Sequence, residues 1–433
     1  MNREVRKFDV LVVGGGPAGI AAATSAAKSG ASVGMVDDNP SPGGQIWRGA
    51  ATHNRSDSSG WIRKLQTGGV ELLCNTRVFD QPKTNVLRAE TATGICEFEY
   101  RNLILATGAR ERFLPFPGWT LPNVLGAGGL QALVKSGLPI SGKRVVLAGT
   151  GPLLLAVAAY LKKNGAHVVA ICEQASRSSL LRFGFSLLRH RNKVAELIRL
   201  RNEIGGIPFH AKSWPMAAEG DETLQAVVIH RSGRRERIAC DYLACGFHLV
   251  PNTELASLLN CRMQNGFVQV DQFQRTSAPN VFCAGEPTCI GGLELSLVEG
   301  QIAGLAAVEK NDESWKLLGE RRKLMKFAHA LERTFALRPE LKKLCQPETI
   351  VCRCEDVTWE RLQGHKSWRA AKLQTRCGMG PCQGRICGSA TEMLFDWKSD
   401  SVRPPIFPTT LANLSAGDAE SSPGLSVVTR GQP

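Results

Sequence analysis

Five of the 14 cysteines fall between positions 352 and 387, in the segments VCRCEDV and TRCGMGPCQGRICG. A C-x-C pair followed by a C-x4-C pair can bring two thiolates from each of two loops onto a pair of irons. The expected ligands are Cys352, Cys354, Cys382 and Cys387, with Cys377 as the spare. Gly378, Gly380, Gly384 and Gly388 suit loops whose backbone N–H groups bond to the sulfurs. Arg353, Arg376 and Arg385 are placed to ease reduction of a cluster that carries net negative charge. Zinc prefers C-x-x-C knuckles, and neither pair has that spacing. A 2Fe-2S cluster is therefore the leading reading, with zinc or a metal-free fold as the alternatives.

The second chemistry in the chain is anion binding by bare backbone. A pyrophosphate is best held by N–H groups at a helix N-terminus, which requires missing side chains. In FDVLVVGGGPAG, Gly14 would make the turn, Gly16 would admit the phosphates, and Gly19 would let the helix pack on its strand. Asp37, closing the next strand, is placed to accept hydrogen bonds from an adenosine ribose and argues against a 2'-phosphate. A second copy follows at 143 to 173, with Gly149 and Gly151 in GTGPLL and Glu173 at the ribose position. Leu154 stands where its third glycine belongs, which should push helix from strand. NAD(H) or another adenine nucleotide and a structural remnant both remain open for this copy.

Positioning these residues demands two strand–turn–helix–strand units, at 8 to 38 and 143 to 173. The fold class is thus α/β, with two Rossmann-type domains and a small cysteine-rich helical domain at the C-terminal end. The expected division is an FAD-type domain from 1–115 and 250–310, a second Rossmann domain at 116–249, a helical linker at 311–346, the cysteine domain at 347–398, and a disordered tail at 399–433. In the linker, Leu317, Leu324, Leu331 and Phe335 share one face of a helix halted before Pro339. The formal charge of +14 comes without interleaved aromatics or a nucleic-acid motif, so no nucleic-acid partner is expected. Its densest run, Arg177 to Arg201, reads as an amphipathic helix with a solvated basic face or a docking surface for an acidic partner. The apolar run after the basic start breaks at Gly14, and Val145 to Leu161 is interrupted by Gly149, Gly151 and Pro152. Neither can span a bilayer, and a cytoplasmic protein is expected. No acid–base pair stands beside the glycine motifs, because His53, His190 and His248 are isolated, so the catalytic residues are unknown.

The chain resembles the two-dinucleotide flavoproteins that include thioredoxin reductase. The resemblance rests on Gly43-Gly44-Gln45, on Ala106-Thr107-Gly108, and on TSAPNVFCAGE, which ends in Gly285 and Glu286. It implies FAD on the first unit, with Glu286 on the ribityl chain where aspartate is common. A redox C-x-x-C pair is absent, and Cys240 and Cys245 flank an apolar strand. The cysteine segment is similar to the bacterioferritin-associated ferredoxin type of 2Fe-2S domain. Through GARERFLPFPGWTLPNV, GAGGLQALVKSG, GEPTCIGGLELSLVEGQIAG, CRCEDV and TRCGMGPCQGR, the whole chain resembles the A or alpha subunits of opine oxidases, D-hydroxyproline dehydrogenases and hydrogen cyanide synthases. That resemblance implies that the amine is oxidised on an amino-acid-oxidase-like flavoprotein beta subunit; a further candidate partner is a small third subunit. This chain would then relay electrons to an external electron acceptor, in peripheral association with the membrane electron-transport chain. A stand-alone NADH-dependent reductase feeding a ferredoxin is the competing reading, and a non-catalytic scaffold is a third.

Overall fold

The computed structural model describes residues 4–48, 56–187, 191–398 and 402–415. Its first layer is a sheet around β1 (Glu4–Val13), whose apolar end is buried on both faces, with Val10, Leu11 and Val12 at most 1% exposed. Such two-sided burial is what a parallel central strand requires. β2 (Val33–Val36), β3 (Val70–Leu73), β4 (Arg77–Lys83), β5 (Val86–Thr91) and β6 (Gly94–Leu105) complete the order β3-β2-β1-β6-β5-β4. β6 serves two neighbours along one edge. Its first half pairs antiparallel with β5, and Leu103 to Leu105 pair in parallel with a strand that returns from much later in the chain. The helix α1 (Pro17–Ala27) is alanine-rich and buried over most of its length, and α2 (Ser56–Thr67) follows on the same layer.

The chain leaves this domain through β7 (Ala109–Glu111). The second sheet contains β8 (Val124–Gly126), β9 (Arg144–Thr150), β10 (His167–Glu173) and β11 (Phe209–Ala211), with α3 (Ala127–Lys135) and α4 (Leu153–Lys163) between them. Glu111 accepts hydrogen bonds from the N–H groups of Gly128 and Gly129 at 2.7 and 2.9 Å, satisfying the start of α3. In the basic run expected as one helix, α5 (Arg177–Leu187) and α6 (Arg191–Glu203) are helical, and residues 188–190 between them lie outside the described residues. An antiparallel meander of β12 (Ser213–Glu219), β13 (Ala226–Arg231) and β14 (Arg234–Ala239) leads to β15 (Tyr242–Phe247), which joins the parallel order β11-β10-β9-β15-β8. The chain then returns through β16 (Leu249–Pro251), antiparallel to β7.

After α7 (Glu254–Leu258) and the small hairpin of β17 (Met263–Gln264) and β18 (Phe267–Val268), β19 (Val281–Cys283) supplies the late partner of β6. α8 (Gly292–Ala307) lies directly on α1. A Cβ on Gly300 or Gly304 would stand 2.2 Å from the carbonyl oxygen of Ala18 or Ala22, so only glycine permits this contact. α9 (Asn311–Phe335) is one continuous helix that packs Leu317, Leu318 and Leu324 on Val298 and Ile302 of α8. The cysteine domain has β20 (Ile350–Cys352), β21 (Val357–Thr358), α10 (Trp359–Leu362), α11 (Trp368–Thr375) and α12 (Cys387–Phe395) around Val351, Val357, Leu362 and Trp368.

The expectation of a disordered tail from residue 399 does not hold for residues 402–415. Ile406 is 6% exposed in the first domain's core, its N–H donates to the carbonyl of Phe79 at 2.8 Å, and α13 (Leu411–Ser415) follows. Burying one isoleucine and bonding one edge amide overrides a polar, proline-rich composition. The rest of that expected tail, like His53 and His190, lies outside the described residues.

Candidate functional site: a nucleotide cradle beside a cysteine cluster

The first glycine turn has the geometry a pyrophosphate needs. Gly14, at φ 110°, passes so close to Ala106 that a Cβ would sit 2.2 Å from its carbonyl oxygen. A Cβ on Gly19 would fall 1.8 Å from the Gly14 oxygen, so helix and turn are in backbone contact. At Gly16, which opens α1, a Cβ would meet nothing within 4 Å, leaving open space in front of the helix N-terminus. These residues fit a nucleotide diphosphate. Asp37 is buried and accepts from the N–H of Gly15, and from the backbone and side-chain nitrogens of Asn39 at 2.7 and 2.8 Å. A carboxylate offers about four acceptor sites, so one remains for a ribose hydroxyl.

Three loops frame that space. The Gly43-Gly44-Gln45 loop lies against the turn, with the Gly43 N–H donating to Gly15 O at 2.7 Å and a Gly44 Cβ position 3.1 Å from the Gly16 Cα. Gln45 itself is exposed. Thr107 and Gly108 are tied to Asn252: the Thr107 hydroxyl donates to Asn252 O at 2.6 Å, and the Asn252 amide donates to Thr107 O at 2.9 Å. Gly108, at φ 65°, faces Glu286, whose carboxyl burial pushes up from the ordinary range. Gly285 N donates to Glu299 at 3.1 Å. Glu299 is fully buried in α8 and is also held by Thr288 at 2.9 Å and Arg321 at 3.0 Å. Sequence reasoning missed Glu299, although an acid amid the apolar positions in the middle of α8 was the signal for it.

In the second unit, a Cβ on Gly149 would lie 2.0 Å from Gly246 O, while Gly151 faces open space as Gly16 does. Leu154 does not push its helix away as expected. It is buried, and its Cδ2 occupies the room left by Gly246, where a Cβ would be only 3.0 Å from it. Glu173 is 2% exposed and turned inward, accepting from Thr150 Oγ1 at 2.8 Å, Gly151 N at 2.7 Å and Ala175 N at 2.8 Å. Burial pushes its carboxyl up to about 7.

The thiols converge. Sulfurs of Cys352, Cys377 and Cys387 lie within 4.8 Å of one another, and Cys382 interacts with Cys387 and with Cys354. Cys377, expected to be the spare, is thus a buried member of the group, because the left-handed turn at Arg376 aims it inward. Hydrogen bonds from Cys377 and Cys387 pull the Cys352 thiol down to about 2, and Cys387 pulls Cys382 down to about 5. The partner thiols move the other way, Cys377 up to about 12 with Cys352 as the main cause. Thiols sharing protons in this way form a site from which a metal displaces those protons. The expected amide contact is present at Gly378, whose N–H donates to Cys352 Sγ at 3.5 Å. Gly380 is required, since its Cβ would lie 2.3 Å from that of Cys354. Arg376 is paired with Glu355 at 2.7 Å, so its charge is already offset.

Cradle and cluster are joined by polar contacts. Arg385 sits between Cys382 and Cys387, and its carbonyl accepts from Arg110 Nε at 3.0 Å. Arg110 also donates to Asn252 Oδ1 at 2.7 Å and pairs with Glu254 at 2.9 Å, and Asn252 holds Thr107. The Arg385 guanidinium donates to Ile406 O at 2.5 Å and lies 4.0 Å from the Phe407 ring centre.

Fold and cradle define an FAD-dependent oxidoreductase: residues 8–305 match the pyridine nucleotide-disulphide oxidoreductase family, and the chain belongs to it. Within that family it groups with the A-type subunits. It is 30% identical to the A-type subunit of opine oxidase from Rhizobium meliloti (strain 1021), over 94% of this chain and 98% of the relative. It is also 30% identical to the HcnB subunit of hydrogen cyanide synthase from Pseudomonas aeruginosa, over 87% and 90%. In fold it is similar to L-proline dehydrogenase from P. horikoshii, with TM-score 0.67 and 17% identity over 96% of this chain and 80% of that one. T. acidophilum thioredoxin reductase shares the fold of 71% of this chain and covers 99% of its own, with TM-score 0.53 and 22% identity. Among the described residues, no helix is long and apolar enough to cross a membrane.

Proposed function

We propose that this chain is the electron-transfer subunit of a heteromeric opine oxidase-type dehydrogenase, holding FAD in the first cradle and a 2Fe-2S cluster on Cys352, Cys354, Cys382 and Cys387. The observation that carries the reading is the hydrogen-bonded bridge from Arg385, inside the C-x4-C loop, through Arg110 and Asn252 to Thr107 beside the cradle. That bridge supports the reading, because it would hold the two proposed redox sites next to each other. FAD takes electrons in pairs and a 2Fe-2S centre passes them singly, so the two together divide a two-electron oxidation into single steps. The protein's own part is positional. Gly14, Gly16 and Gly19 hold the diphosphate, Asp37 orients the ribose, and the Arg110–Glu254–Arg385 group keeps the cysteine loop seated on the cradle.

The substrate would be an N-carboxyalkyl amino acid such as nopaline or octopine. Two electrons and two protons leave its CH–NH bond on an amino-acid-oxidase-like partner, and water then splits the imine into an amino acid and a 2-oxo acid. Similarity to HcnB at the same identity supports glycine oxidation to cyanide as the second reading. The test is to purify the chain alone and with its partner. The chain alone is expected to show flavin absorbance and a reduced-cluster EPR signal, with opine turnover appearing only with the partner. Opine oxidation by the single chain at the rate of the complex would overturn this reading.

A further inference from the structure

The two glycine turns are alike in backbone and unlike in surroundings. Gly16 and Gly151 both have open space where a Cβ would stand, but Thr150 and Gln174, which flank the second turn, are met by the C-terminal end of α9. The Phe335 carbonyl lies 2.6 Å from His248 Nε2, 3.3 Å from Gln174 Nε2 and 3.3 Å from Thr150 Oγ1. Gln174 Nε2 also donates to Ala336 O at 3.1 Å, and its Oε1 accepts from Arg338 N at 3.1 Å. Gln174 is 0% exposed and Phe335 6%, so these bonds are shielded from water. The Phe335 ring meets Phe183 of α5 edge-on at 5.4 Å, and the Arg338 guanidinium stacks 5.3 Å from Trp214. His248 reaches the carbonyl from a left-handed backbone at φ 68°, a conformation costly for histidine unless its surroundings hold it there.

A dinucleotide pyrophosphate presents negative oxygens to the N–H groups of such a turn. Here the last carbonyls of a helix, carrying the negative end of its dipole, accept from side chains flanking the turn, Thr150, Gln174 and His248. The Gly151 N–H, equivalent to the Gly16 N–H in the open cradle, is taken by Glu173. The residues present therefore do not fit a second dinucleotide. Beyond Ala336 the chain continues into the second unit's core through Leu337, Leu341 and Leu344, and then enters the cysteine domain.

We infer that the second Rossmann unit is permanently liganded by this chain's own α9 terminus, so that it binds no NAD(H) and instead anchors the cysteine domain. Electrons then enter this protein from an oxidation carried out elsewhere in the assembly, not from a nicotinamide. The absence of a second dinucleotide stands on the second unit alone, while the route of the electrons rests on the proposed subunit role.

The test is hydrogen–deuterium exchange on flavin-loaded, full-length protein under anaerobic titration with NADH. Exchange at 149–154, 173–175 and 335–338 is expected to stay unchanged up to millimolar NADH, with the flavin unbleached. Protection of 149–154 by NADH with simultaneous exposure of 335–338 would overturn the inference, because the contact would then be a displaceable gate. As an independent arm, Gln174→Ala with His248→Ala should raise exchange at 149–154 and 335–344 together, by about tenfold or more, and leave 14–19 unchanged. Unchanged protection of 149–154 in a folded double variant would also overturn it. If that variant does not fold, the NADH titration of the wild-type protein decides alone.

Discussion

At the scale of single residues, the sharpest question is how five sulfurs share four ligand positions. With Cys377 as hydrogen-bond donor to Cys352, Cys382→Ser should abolish the cluster EPR signal while flavin absorbance survives. Cys377→Ala should keep the signal and shift the reduction potential downward, because a hydrogen bond to a ligand sulfur is lost. Spectra and redox titration of the two variants check this pair. The crowding of five cysteines into one segment was legible in the sequence. The inward position of Cys377 was not, since it depends on the left-handed backbone at Arg376, which arginine does not signal. Glu173 supplies a second prediction. Its carboxyl is raised from 4.5 to about 7 by burial, so between those values the folded protein holds a proton that the unfolded chain has lost. Stability should fall as pH rises through that window, and Glu173→Gln should flatten the slope in thermal melts.

Among elements, the contact of α1 with α8 is the most tightly constrained. Gly300 and Gly304 place α8 against the carbonyls of Ala18 and Ala22, and those carbonyls belong to the helix that opens at the cradle. Gly304→Ala would force backbone apart, at a cost of roughly 1–3 kcal/mol, and should loosen nucleotide retention as well. Chemical denaturation and flavin content after gel filtration measure the two effects. The first strand–turn–helix–strand unit was readable because its geometry demands glycine at fixed spacing. Leu154 misled because the space that admits it is created by Gly246, on a neighbouring strand far along the chain.

Over the whole molecule, the contacts that matter most link residues distant in sequence, and local patterns carry no trace of them. The bonds of Phe335 to the second turn span more than a hundred positions, as do those of Ile406 to β4 and of Trp119 Nε1 to Ile350 O at 2.6 Å. Removing the chain from Val402 onward should cost roughly 1.5–3 kcal/mol through the loss of buried Ile406. It should also free Arg385 from Ile406 and Phe407, which guanidinium-induced unfolding and exchange at 382–387 would report. The cysteine domain touches the second unit through Trp119 and the first through Arg110 and Ile406. The β7–β16 ribbon joins those two units directly. Three bodies pinned pairwise make a triangulated truss, in which a swing of any one body would break contacts with both others. The spacing between cradle and cysteine loop is therefore set by these contacts, and on the proposed function an electron crossing it would wait for no swinging domain.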